Sequence, residues 1–245
     1  MKTLKFGLKS ILFALILAAG LNMGGCGNQK SSDLKNPYGL EIVNTNEAYL
    51  KSIEEDENNR LVDLEQYIPG VVLDIRYADT NNFTHTKIYT QPKAFLRKPA
   101  ADSLLKIQML LAKQGLGIKI YDAYRPYAGT LYFYKVYPDT TFVAAPWQGS
   151  IHNRGCAVDL SLINLSTGEE LEMPTPFDDF SPKASHNYMD LDPVILANRA
   201  TLLKIMTENG FTFYEHEWWH YNIKGRDKYK LMDISFEDLG NTLVK

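Results

Sequence analysis

Cysteine is scarce: Cys26 and Cys156 are the only two in 245 residues. A disulfide framework is excluded, so stability has to come from a packed core. A basic surplus is also missing. Twenty-six Lys and Arg stand against 29 acids, a net charge of -3, which leaves no cationic face for a nucleic-acid partner. No internal repeat is visible. What remains is 45% hydrophobic and 22% charged, as in a soluble globular chain long enough for one domain with a real core.

The first 25 residues contain no acid. They carry Lys2, Lys5 and Lys9, an apolar run over residues 11–21, and then Met23-Gly24-Gly25-Cys26. The run has the length of a signal peptide and is too short to span a bilayer comfortably. Small residues directly before a cysteine at the end of such a run resemble a bacterial lipoprotein signal. That resemblance implies cleavage before Cys26, acylation of its thiol, and an exported protein tethered to a membrane by lipid. The plainer alternative is an ordinary cleaved signal. Removing the three lysines moves the net charge from -3 to -6. With Cys26 acylated, Cys156 has no partner for an intrachain bridge. Residues 26–60 are polar and read as a flexible tether, with a short helical pattern at 47–53. The folded domain is expected over 61–245.

Within that domain, residues 71–77 are β-rich and follow the Pro69-Gly70 turn signal. Residues 99–114 have the apolar spacing of an amphipathic helix that Pro99 opens and Gly115 closes. A strand is expected at 118–124, and Pro126 opens a helix toward Tyr137. Gly155 breaks the chain, after which Cys156, Val158, Leu160 and Leu162 alternate with Ala157, Asp159 and Ser161, a strand with one apolar face. Residues 166–190 form a long polar connection, a length that favours a functional loop. Asp192-Pro193 caps a helix ending at Asn209-Gly210, and residues 211–223 read as a strand. The irregular mixture of helices and strands indicates one α+β domain, a mainly antiparallel sheet with helices packed on it.

Two stretches carry chemistry: Ser150-Ile151-His152-Asn153-Arg154-Gly155-Cys156-Ala157-Val158-Asp159, and Glu217-Trp218-Trp219-His220. A catalytic zinc site uses three protein ligands and keeps one open position. His152, Asp159 and His220 supply that number. Residues seven apart on a straight strand face opposite sides, so the Asn153-Arg154-Gly155 break is needed to bring His152 and Asp159 together. In the second stretch, a regular strand would put Trp218 on the face of His220, and Glu217 would precede a kink. A histidine alone is more often a hydrogen-bonded structural residue than a ligand. Asp159, on an otherwise apolar strand, needs a cation or donors, and a salt bridge to Arg125 would satisfy it without any metal.

Tyr121-Asp122-Ala123-Tyr124-Arg125-Pro126 and the two stretches above, in this order and spacing, resemble the zinc D-Ala-D-Ala dipeptidases of the vancomycin-resistance (VanX) type. The likeness runs from about Leu61 to Tyr221. It implies the small α+β fold shared by hedgehog signalling domains and these peptidases. It also implies one zinc ion on His152, Asp159 and His220, Glu217 as general acid/base, Arg125 stabilising the transition state, and Ser150 lining the pocket near the substrate amino group. Ile151 and Cys156 depart from the smaller or polar residues usual there, which bears on pocket size. The expected substrate is D-Ala-D-Ala or a related small peptide. The alternatives are a D,D- or L,D-carboxypeptidase trimming peptidoglycan stems and a non-catalytic wall-binding or zinc-binding lipoprotein. A leader that directs export also departs from the cytoplasmic resistance enzymes.

Overall fold

The computed structural model describes residues 36–243. Cys26, the leader and the first part of the expected tether lie outside the described residues. The strands are β1 (Ile42–Val43), β2 (Leu61–Asp63), β3 (Val72–Leu73), β4 (Phe95–Arg97), β5 (Leu116–Asp122), β6 (Ala157–Asn164), β7 (Phe211–Tyr214), β8 (Glu217–Ile223) and β9 (Leu231–Met232). The helices are α1 (Asn46–Glu55), α2 (Leu64–Tyr67), α3 (Lys98–Ala112), α4 (Tyr127–Val136), α5 (Pro193–Glu208) and α6 (Phe236–Leu243).

A five-stranded sheet in the order β3-β5-β6-β8-β7 forms the centre. β3 runs parallel to β5, and the other pairs are antiparallel. The α+β architecture expected from the sequence is therefore the one observed. β6 follows the expected period of two: Val158, Leu160 and Leu162 are fully buried in the apolar core, while Asp159 and Ser161 turn to the other face. α3 has Pro99 in its first turn and buries Ala101, Leu104, Ile107 and Leu111, then stops ahead of Gly115 at φ +73°. α5 is capped by the Asp192 carboxylate, which accepts from the Val194 N–H, and buries Arg199, Leu202 and Met206.

Three expectations change. The segment at 71–77 contributes only two strand residues before a 3-10 turn at Arg76–Ala78. The single strand expected over 211–223 is a hairpin, because Glu215 and His216 turn the chain between β7 and β8. The described part of the tether is built into the domain. α1 is capped by Thr45, buries Tyr49 and Ile53, and holds the Leu61 N–H on the Tyr49 hydroxyl at 2.8 Å, while β1 pairs with β9. The packed chain thus begins before residue 61. Among the described residues no helix is long and apolar enough to cross a membrane.

Candidate metal centre and cavity

Two adjacent strands of the sheet bring the donors together. β6 and β8 pair antiparallel with Asp159 opposite His220. His152 comes from the 3-10 turn His152–Arg154, which ends on Gly155 at φ +67°. A side chain could not replace that glycine, since a Cβ would lie 2.4 Å from Leu61. The break expected at 153–155 is what swings His152 back over the strand. The result is a cluster in which His152, Asp159 and His220 each offer a ligand atom, all within 4.8 Å of one another.

Each imidazole sets one ring nitrogen against an acceptor outside the cluster. His152 Nδ1 lies 2.6 Å from the Ala123 carbonyl oxygen, and His220 Nε2 lies 3.0 Å from Asn222 Oδ1. Such acceptors would set the tautomers of the two rings with a metal bound, as outer partners of ligating histidines do. The opposite nitrogens face inward, 3.3 Å apart. Asp159 joins them, 3.4 Å from His152 Nε2 and 2.9 Å from His220 Nδ1. Two ring nitrogens and a carboxylate this close call for positive charge among them: in the metal-free cluster a proton shared toward Asp159 supplies it, which raises the proton affinity of His220, and a bound metal ion would take that proton's place. Ligand atoms on a tetrahedral ion with bonds of about 2.0–2.1 Å are separated by about 3.3 Å, so spacing and donor set fit zinc with one position open. Burial alone would raise the Asp159 carboxyl, but the imidazoles, His152 foremost, outweigh it and hold the group below its usual range.

Glu217 stands beside this cluster, its Oε2 3.7 Å from His220 Nδ1. Burial pushes it up to about 8, with His220 opposing and Asp159 adding to the rise. The kink expected here is present: Phe213 pairs with Tyr221, yet Tyr214 pairs with Glu217, so the intervening residues of β8 bulge out. The bulge also reverses the expected side-chain order. Trp219, not Trp218, lines the cavity with His220, while Trp218 donates its indole N–H to Thr175 at 3.0 Å.

Arg125 is buried against the same cavity, over the rings of Phe133 at 4.4 Å and Tyr77 at 5.4 Å. Its acidic partner is Asp122 at 2.7 Å, not the Asp159 that the simplest sequence reading paired with it. Asp122 is tied in turn by the Tyr89 hydroxyl and the Ala123 N–H. Ser150 lines the cavity too, and its hydroxyl accepts the His152 N–H at 3.2 Å. His85, His186 and His216 lie outside the donor cluster. Cys156, next to the His152 turn, is buried with its thiol pushed up to about 12, which removes it as a nucleophile.

One cavity residue has no counterpart in the sequence reading. Asp178, in the long connection after β6, sits at φ +63° and takes hydrogen bonds from the Tyr77 hydroxyl at 3.0 and 3.1 Å. Burial, with Asp159 adding, raises its carboxyl to about 8. Its only local signal was an acid in a polar loop, which nothing distinguishes from its solvated neighbours Asp179 and Asp190. The whole cavity measures about 590 Å³.

The chain matches known proteins across this entire region. The family profile described as D-ala-D-ala dipeptidase matches residues 57–237. The chain is 33% identical over 180 residues to a D-alanyl-D-alanine dipeptidase of Escherichia coli, covering 74% of this chain and 93% of that protein. It is 30% identical over 185 residues to one of Enterococcus faecalis, covering 67% and 92%. A dipeptidase of the same name from Streptomyces coelicolor is 30% identical over 184 residues, covering 66% and 90%. With a profile spanning most of the chain and curated relatives matched over nearly their full length, the chain belongs to the D-Ala-D-Ala dipeptidase family of peptidases.

Proposed function

We propose that the protein hydrolyses the dipeptide D-Ala-D-Ala to two D-Ala, with one zinc ion held by His152, Asp159 and His220. The observation that carries this reading is the inward-facing pair of imidazole nitrogens and the Asp159 carboxylate, with Glu217 and Arg125 on the same cavity. When bound, zinc supplies Lewis acidity, lowering the pKa of a water from about 15.7 toward about 7 and polarising a carbonyl.

The remaining work falls to side chains of this chain. Glu217 accepts the proton of the attacking water and passes it to the nitrogen of the leaving D-Ala. Burial raises its proton affinity in the metal-free cavity, and a cation held by the neighbouring donors would oppose that rise and favour the ionised form a base needs. The Arg125 guanidinium, aimed by Asp122, meets the negative oxygen that develops as the carbonyl becomes tetrahedral. Ser150 holds the His152 turn and lines the pocket. Asp178, protonated in the empty cavity at neutral pH, gives up its proton as the free ammonium of the dipeptide pairs with it, and Tyr77 holds the carboxylate so formed in place.

A D,D- or L,D-carboxypeptidase would use the same metal and base on longer stems. Asp178 favours the dipeptidase, because a chain that continues past the amino end has no ammonium to give it. Purified protein loaded with zinc and offered D-Ala-D-Ala beside its N-acylated form decides between them. Cleavage of the free dipeptide alone is expected; cleavage of only the blocked peptide overturns the choice. We further propose export and lipid anchoring through Cys26, supported by the leader sequence. The test is Cys26→Ala, which should move the protein from the membrane fraction to the soluble one.

A further inference from the structure

Next to the catalytic cavity lies a second one of about 530 Å³. Its wall includes Ser181, Ser185, Asn187, Glu215 and His216, side chains suited to amide and hydroxyl groups. Phe142 and Phe180 line both cavities. Their rings stack on each other, with centroids 4.9 Å apart and planes at 19°. Phe142 comes from the connection after α4, and Phe180 from the connection after β6. Phe180 is further braced by Phe83 at 5.3 Å and Tyr137 at 5.1 Å.

We propose that the Phe142–Phe180 stack is a partition that closes the catalytic cavity on the substrate's amino side and so excludes N-acylated peptides. The second cavity is the space such an extension would enter once the partition is removed. The inference rests on the dipeptidase reading above. Phe180 is two residues beyond Asp178, which that reading gives to the ammonium, so a substrate continuing past its amino group meets the stack. The side chains that make the partition come from two surface connections and meet only through their rings. Specificity would then reside in a contact independent of the metal cluster and of Glu217.

The test compares wild type with the Phe142→Ala, Phe180→Ala double variant on D-Ala-D-Ala and on N-acetyl-D-Ala-D-Ala. The double variant should gain at least tenfold in kcat/KM on the blocked peptide. Adding Asn187→Trp, which refills the second cavity, should cancel that gain. No gain in a double variant that retains zinc and melts cooperatively overturns the proposal, and a gain that survives Asn187→Trp overturns the role of the second cavity. Should the double variant not fold, Phe180→Leu alone keeps an apolar filler but loses the stack. It should still gain severalfold, and no gain overturns the partition. Wild-type inactivity on both peptides would count against the dipeptidase reading instead. Calorimetric binding of the two peptides then reads the partition directly: only the double variant should bind the blocked one, and equal binding by wild type overturns the proposal.

Discussion

Asp159 and His220 face each other across an antiparallel ladder, whereas Asp178 lies in an irregular connection whose helical turn comes only later, at Pro182–Ala184, and holds a left-handed φ of +63°. Both regions present carboxylates to one cavity. In the ladder, position follows from register: Asp159 is paired on both sides, with Asp122 and with His220, and cannot move without breaking that pairing. In the connection, position follows from side-chain contacts, the Tyr77 hydroxyl on Asp178 and the Phe142 ring on Phe180. A metal needs several donors fixed to within a fraction of an ångström, and regular structure supplies that. Recognition of the substrate's end tolerates adjustment, and loops on a rigid scaffold allow it. The difference assigns chemistry to the sheet and selectivity to the loop.

Changes in the donor cluster, on the ladder and on the turn beside it, should therefore cost most. His152→Ala or Asp159→Ala should abolish hydrolysis and leave the purified protein without zinc by metal analysis. Full zinc content in either variant would move the ligand role elsewhere and dissolve the contrast. Next in size, Glu217→Gln should retain zinc while kcat falls about 10²–10⁴-fold, the usual contribution of a general acid/base. Metal lost in proportion to activity would make Glu217 a ligand instead. Arg125→Lys should also keep zinc, with kcat lowered about 10²–10³-fold, as expected when an oxyanion donor is misplaced. Lysine keeps the charge opposite Asp122 but loses the forked geometry, so a near-normal kcat would leave Arg125 a structural residue.

The ladder was also the legible part of the sequence. Alternation along Cys156 to Leu162 located β6, and the seven-residue offset between His152 and Asp159 demanded the break that Gly155 makes. The parity argument at Glu217 correctly required irregular backbone, but it placed the wrong tryptophan in the cavity. Alternation predicts a face only while pairing stays regular, and the bulge in β8 between Glu217 and Tyr221 resets it. The hairpin turn at Glu215 and His216 carries no glycine, proline or asparagine, so nothing local announced it. Asp122 as the partner of Arg125, and Asp178 in the cavity, were not legible at all. Asp178 depends on long-range packing, 101 residues from its partner Tyr77, whereas Asp122 lies only three residues before Arg125 and its pairing turns on which way the side chains point at the end of β5.

The smallest expected effect tests the loop side of the comparison most directly. Asp178→Asn preserves an acceptor for the Tyr77 hydroxyl and removes the charge offered to the dipeptide's ammonium. KM for D-Ala-D-Ala should rise about tenfold or more, with kcat changing far less, since binding lost equally in ground and transition states appears in KM. The same substitution has a signature in pH. The Asp178 carboxyl titrates near 8 in the folded protein against about 3.8 as its ordinary value. Between those limits the folded state binds a proton that the unfolded state has released, so this group's contribution to stability is complete below about pH 4 and falls until about pH 8. Asparagine does not titrate. In metal-free protein, the melting temperature of Asp178→Asn should therefore climb relative to wild type between pH 5 and pH 8 and level off above it. A difference independent of pH would mean that Asp178 is solvated like its loop neighbours, and the cavity would lose its recognition site for a free amino end.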